Sequence, residues 1–157
     1  MYHDLIEQFE HGGEKLSLAI RGLTREDLTC FPIAGKWSIQ QVVIHLMDSD
    51  LIATDRMKRT IAEDRPTLIG YDESKFVQNL AYDQQSAEDA VKIFDLNRRQ
   101  FAKVLKTLPA SAWDRVGMHN ERGPTTLGKQ LEYYVKHLDH HLKFVHEKRA
   151  KMGKEMW

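Results

Sequence analysis

Trp37-Ser38-Ile39-Gln40-Gln41-Val42-Val43-Ile44-His45-Leu46 is the stretch that decides the fold. Ser38 with Gln41 three residues later makes a capping box, in which each side chain takes the other residue's backbone amide. Trp37 before the cap and Val42 at the fourth helical position add a hydrophobic staple. A helix therefore starts here, and Val42, Val43, Leu46, Ile52, Ala53 and Met57 carry its apolar stripe to about Ala62. Arg65-Pro66 stops it, because proline lacks the amide the next turn needs.

Working outward, three further segments repeat apolar residues three and four apart, and none alternates in the manner of a strand. The first runs from Asp4 to about Gly22 on Leu5, Phe9, Leu16, Ala19, Ile20 and Leu23, with Gly12-Gly13 weakening its middle by about 1 kcal/mol per glycine. A short capped turn follows, in which Thr24 leads Arg25-Glu26-Asp27-Leu28. The third helix begins at Ser86, with Asp89 at its third position, and carries Val91, Phe94, Phe101, Val104, Leu105 and Leu108 to Pro109. The last begins near Thr125-Thr126 and carries Leu127, Leu131, Tyr134, Leu138, Leu142 and Val145 into the basic run Glu147-Lys148-Arg149-Ala150-Lys151. Four such helices bury their stripes most simply as an all-α four-helix bundle. The connection from about residue 63 to 85 is too long for a tight turn; it has room for a short helix over Glu73 to Leu80, and a loop of that length is often functional.

Composition narrows the function. The 157 residues are 41% hydrophobic and 29% charged, which fits one domain over 1–157 with an ordinary core. Equal numbers of basic and acidic residues, 23 each, argue against a general binder of nucleic acid. The one cysteine, Cys30, cannot close an internal disulfide and reads as a small packing residue. The stretch Met1-Tyr2-His3-Asp4-Leu5-Ile6-Glu7 is too polar for a signal-peptide core, and no run approaches the roughly 20 apolar residues of a membrane span. The expectation is a cytoplasmic protein acting on a small molecule, with no nucleic-acid or membrane partner.

Of the eight histidines, His137 and His141 stand one helical turn apart. Chance alone gives about 0.4 such pairs in a chain of this composition, so the spacing is weak by itself. Its position on the flank of the inner stripe strengthens it, because a buried imidazole must satisfy both ring nitrogens and a metal ion does so at once. His45 borders the stripe of the second helix and is the third candidate, with Asp48 and Ser49 placed to orient it. Three histidines leave a zinc-like ion an open position, the pattern of catalytic rather than structural sites. The competing reading is satisfied core or surface histidines. His140 points away from the pair, and His3, His11, His119 and His146 have no supporting spacing and default to the surface.

These motifs have a familial look. Gly35-Lys36-Trp37-Ser38-Ile39-Gln40-Gln41-Val42-Val43-Ile44-His45, Asp48-Ser49 and the closing His137-Leu138-Asp139-His140-His141 resemble the DinB-like superfamily. Glu63-Asp64-Arg65-Pro66, Tyr71-Asp72-Glu73 and Trp113-Asp114 resemble its YfiT-type branch, whose members are named metal-dependent hydrolases. The resemblance spans nearly the whole chain. It implies a four-helix bundle, often homodimeric, holding Zn²⁺ or Ni²⁺ with one or more waters, and it places the three ligands on His45, His137 and His141. Characterised relatives include bacillithiol S-transferases and mycothiol-dependent isomerases, so a low-molecular-weight thiol is one expected substrate.

Such a site activates a thiol for transfer or a water for hydrolysis. The sequence assigns no general base; Asp48, Asp139 and Tyr134 are the neighbours to weigh, each against surface pairing or core packing. Tyr71, Asp72 and Glu73 are placed to rim the pocket. Arg98 interrupts the third stripe and either binds a substrate carboxylate or, the favoured reading, snorkels to solvent over Phe94. Two rival classes remain: a non-catalytic metal-binding or ligand-sensing bundle, and a nucleic-acid or dimerisation module built on the tail from Lys143 to Lys154. A solvated helix end is the favoured account of that tail, with Trp157 its one aromatic residue beyond the basic run.

Overall fold

The three long helices form where the caps direct them. In the computed structural model, which describes residues 2–156, α4 spans Ile39–Ala62, α6 Ala87–Leu105 and α7 Leu127–Lys151. Ser38 accepts the Gln41 amide while Gln41 returns to the Ser38 amide, each at 3.1 Å. Ser86 and Thr126 cap α6 and α7 through the amides of Asp89 and Lys129. The first segment supplies the fourth side of the bundle as two abutting pieces, α1 (His3–Glu10) and α2 (Gly12–Ile20), followed by the short α3 (Arg25–Thr29). Met1 and Trp157 lie outside the described residues, so the reading of Trp157 with the tail has no structural counterpart.

Gly12 and Gly13 have a role that propensity alone does not reveal. A Cβ on Gly12 would stand 2.5 Å from Arg98 Nη1, and one on Gly13 would stand 2.7 Å from the Asp95 backbone. The pair lets the first segment approach α6 at a distance no larger residue permits, and the helix breaks at His11 to do so.

Apolar side chains divide into two clusters along the bundle. One gathers Leu16, Ile39, Val43, Leu46, Phe94, Leu138 and Val145; the other gathers Phe9, Met57, Phe101, Leu105, Leu127 and Leu131. Val104, expected on the inner stripe, is exposed. Each of the larger core side chains contributes about 1.5–3 kcal/mol on burial.

A small sheet was not expected from the sequence. Thr67–Leu68 (β1) pairs in parallel with Val116–His119 (β2), which pairs antiparallel with Gly123–Thr126 (β3). Strands of two to four residues are too short to show an alternating pattern. Gly123 takes a positive φ of 77°, the conformation a tight hairpin return needs. The sheet anchors one end of the bundle: Arg115 donates to the Thr60 and Glu63 carbonyls at the end of α4, at 2.9 and 2.6 Å. The Asn120 side chain accepts the Gly70 amide at 2.8 Å, which fixes the start of the long connection over the bundle interior. That connection carries the short helix α5 (Glu73–Asn79), capped by Asp72, close to the span read from sequence.

Candidate metal centre

α4 and α7 bring three imidazoles together. His45, on the second turn of α4, is fully buried, and its ring lies 5.3 Å from that of His137 and 4.7 Å from that of His141. The helical spacing of His137 and His141 sets their rings 4.5 Å apart, with Nε2 to Nε2 at 3.1 Å. One nitrogen from each of the three rings lies within 4.8 Å of the others. Two nitrogens about 2.1 Å from a common ion, at angles between 90° and tetrahedral, would stand roughly 3.0–3.4 Å apart. The 3.1 Å separation of His137 and His141 falls in that range, and a His45 nitrogen stands within 4.8 Å of both.

The hydrogen bonding of the cluster leads to the same place. Both nitrogens of His45 and Nδ1 of His141 are buried and, among the described residues, have no hydrogen-bond partner. A proton shared between His137 and His141 satisfies one contact and leaves these three nitrogens bare, at a cost of about 1–3 kcal/mol each. Burial pushes the pKa of His45 down to about 4 and, with the neighbouring rings and cations, those of His137 and His141 down to about 3. The rings are therefore neutral at physiological pH, the form that coordinates a metal. Trp37 walls His45 at 5.2 Å, so the residue that staples α4 also shapes the site.

The cluster opens onto a cavity of about 760 Å³, walled by Trp37, Tyr71, Tyr133, Tyr134 and Phe144. Glu73, the first residue of α5, brings a carboxylate oxygen to 3.7 Å from His45 Nε2. The expectation that Tyr71, Asp72 and Glu73 rim the pocket matches this geometry. Burial holds the Tyr71 hydroxyl up at about 12 and raises that of Tyr134, so both remain protonated.

Several sequence readings are corrected here. Asp48 does not orient His45; it accepts the Tyr82 hydroxyl at 2.6 Å. Asp139 is held in a surface ion pair with Lys15 at 3.0 Å, which removes it from the candidate bases. Tyr134 accepts from Arg56 Nη1 at 2.9 Å. Arg98 does not snorkel: it is 1% exposed, bonds Asp50 at 2.8 Å and donates to the Tyr134 carbonyl at 3.0 Å. The helix end is not uniformly solvated either, since Arg149 is buried and bonds the carbonyls of Ala19 and Arg21. Cys30 packs as expected, with Sγ 3.4 Å from Met152 Sδ.

His119 was assigned to the surface and is buried in the cavity wall. Its Nδ1 accepts the amides of Glu121 and Arg122 at 3.2 and 3.3 Å, which leaves the proton on Nε2. Only the unexpected hairpin could have revealed this.

A family model describing the DinB superfamily matches residues 8–145. The chain belongs to this superfamily. Among its relatives, a protein of Oceanobacillus iheyensis is 27% identical over 140 residues, covering 89% of this chain and 81% of the relative. One from Bacillus mycoides is 25% identical over 148 residues, covering 94% and 85%. Both carry the name "Putative metal-dependent hydrolase". Among solved structures, YfiT from Bacillus subtilis superposes with a TM-score of 0.90 at 26% identity, covering 96% of this chain and 86% of that one. It is described as a probable metal-dependent hydrolase with an unusual four-helix bundle topology. This DinB chain shares that bundle. No helix among its described residues is long and apolar enough to cross a membrane.

Proposed function

We propose that this DinB protein is a metal-dependent hydrolase in which His45, His137 and His141 hold one divalent ion, of the zinc or nickel kind, and Glu73 accepts the proton released at the site. The observation that carries the reading is His45: both of its ring nitrogens are buried without a partner, facing two more neutral imidazoles. An ion bound by three neutral ligands keeps its double charge and supplies Lewis acidity, lowering the pKa of a water or thiol at its open position.

The chain's own groups do the rest. Glu73 lines the cavity with its carboxylate 3.7 Å from His45 Nε2, placed to take a proton released beside the histidines. Tyr71 and Tyr134 keep their protons and act as hydrogen-bond donors to an oxygen that gains negative charge. Arg56 holds the Tyr134 oxygen, so that hydroxyl turns its own proton elsewhere. Trp37, Tyr133 and Phe144 form apolar wall that limits water around the reacting bond.

Thiol transfer is the second reading, favoured by the size of the cavity. About 760 Å³ is far more than a small ester requires and is in the range of drug-sized ligands, such as a thiol joined to its electrophile. Metal analysis of untagged protein tests the shared premise: about one ion per chain is expected, lost in His137→Ala. A stoichiometry well below one, unchanged by that substitution, overturns the metal site. Cleavage of model esters and amides against loss of bacillithiol onto monobromobimane then separates hydrolysis from transfer. Neither activity in protein that retains its metal would leave a binding bundle.

A further inference from the structure

Lys148 lies two turns beyond His141 on α7 and is only 3% exposed. Lysine is almost never buried to that degree without a partner. Among the described residues, no hydrogen bond or ion pair reaches its ammonium, and the side chain lines the same cavity as the three histidines. Nζ stands 5.6 Å from the centre of the Phe144 ring, one turn back toward the histidines, as the N-terminal tilt of helical side chains dictates.

Lys36, also in the cavity lining, adds a second positive charge close enough to oppose that of Lys148. Glu147 also lines the cavity, and its exposed carboxylate acts on Lys148 through its charge without forming an ion pair. The stem of Lys148 is buried while its ammonium opens onto the cavity, where among the described residues it has no hydrogen-bonding partner and is free to receive an anion.

We propose that Lys148, with Lys36, anchors an anionic group of the substrate, a carboxylate or a phosphate, while the reacting bond lies at the histidine cluster. This rests on the reading of the cavity as the substrate site. His141 and Lys148 are seven residues apart, about 10 Å along the helix axis, and the lysine side chain folds back over part of that length. The anionic group and the reacting centre are thus separated by several bonds. The substrate class is an elongated anion rather than a small neutral ester or amide.

The test uses metal-free protein at about pH 8, where the imidazoles are neutral, so its result does not depend on the metal site. Lysine ε-carbons are labelled and followed by NMR during titration with succinate, inorganic phosphate or the neutral isostere succinamide. Lys148→Met assigns the signal. The expected result is a saturable shift of the Lys148 signal with at least one anion and none with succinamide. Calorimetry should show the same anion binding about tenfold more weakly to Lys148→Met, with Lys148→Arg restoring it. Lys36→Met, an exposed change that leaves the core intact, should weaken binding in the same direction. A Lys148 response no larger than that of the surface residue Lys92, or equal responses to succinate and succinamide, overturns the proposal. The metal analysis above can still succeed in that case, so the two failures are distinguishable.

Discussion

Two polar centres are buried in this bundle, five residues apart on α4, and they are completed in opposite ways. At Asp50 the carboxylate meets Arg98 at 2.8 Å and the Asn97 amide at 3.0 Å, and the guanidinium lies 4.4 and 4.3 Å from the Phe9 and Phe94 ring centres. Gly12 supplies the space for the guanidinium. Nearly every polar atom there has its partner within the chain; only Arg98 Nη1 lacks one. At His45 the reverse holds, with three buried nitrogens left bare. A buried polar centre that satisfies itself serves the fold, whereas the bare nitrogens at His45 are the atoms the proposed metal site would use.

That contrast can be broken first at Asp50. Arg98→Met leaves a buried carboxylate without its counter-charge and should lower unfolding free energy by about 3–5 kcal/mol, read by denaturant titration. A loss below about 1 kcal/mol would mean the pair is not structural. His45→Phe should behave in the opposite way in metal-free protein, with unchanged or higher stability, because two unsatisfied groups leave the core. If it destabilises as much as Arg98→Met, the two centres are not different in kind.

Next in size is Glu73→Gln, which should retain metal and fold while turnover falls roughly 10²–10⁴-fold, the usual contribution of general acid–base catalysis. Metal loss on that substitution would make Glu73 a ligand instead.

Acid separates the centres again. The histidine pKa values in the fold, about 3 to 4, lie below the unfolded value near 6.5, so the folded state binds fewer protons. Metal-free protein should therefore lose stability progressively from about pH 6.5 down to about 3, measured by thermal melts. His45→Phe should flatten that decline, and an equally steep loss in the variant would assign it to other groups.

The smallest effect belongs to Asp27, which Lys154 and the Thr24 cap hold down to about 2. Its contribution is present above the unfolded carboxylate pKa near 4 and fades as pH falls toward 2. Asp27→Asn should show a slightly looser C-terminal turn at neutral pH and no difference from the parent near pH 2, read by amide exchange at residues 152–154.

What could be read in advance follows from how far each signal travels along the chain. Caps at Ser38, Ser86 and Thr126 are local and appear where the sequence put them. His137 and His141 share a helical turn, so their proximity was local too. The Gly12-Gly13 pair was read as a weak point, and the helix does break beside it, but the close approach it allows lies on α6, at Arg98 and Asp95, out of reach of a local reading. Asp48 looked like a partner for His45 by spacing, but Tyr82, a residue of the long connection, claims it. His119 was missed because a four-residue strand gives no periodic signal.

The sequence by itself determined where the long helices begin, which of their faces are apolar, and that one helix carries two stacked histidines, because capping and helical periodicity act within a few residues. Tertiary structure alone decided that the His45 nitrogens are left bare beside that pair, that Arg98 is used up by Asp50, and that Lys148 joins the cavity. Those outcomes depend on which side chains from distant segments the packing brings to each buried polar atom. That is a property of packing in space rather than of any local pattern.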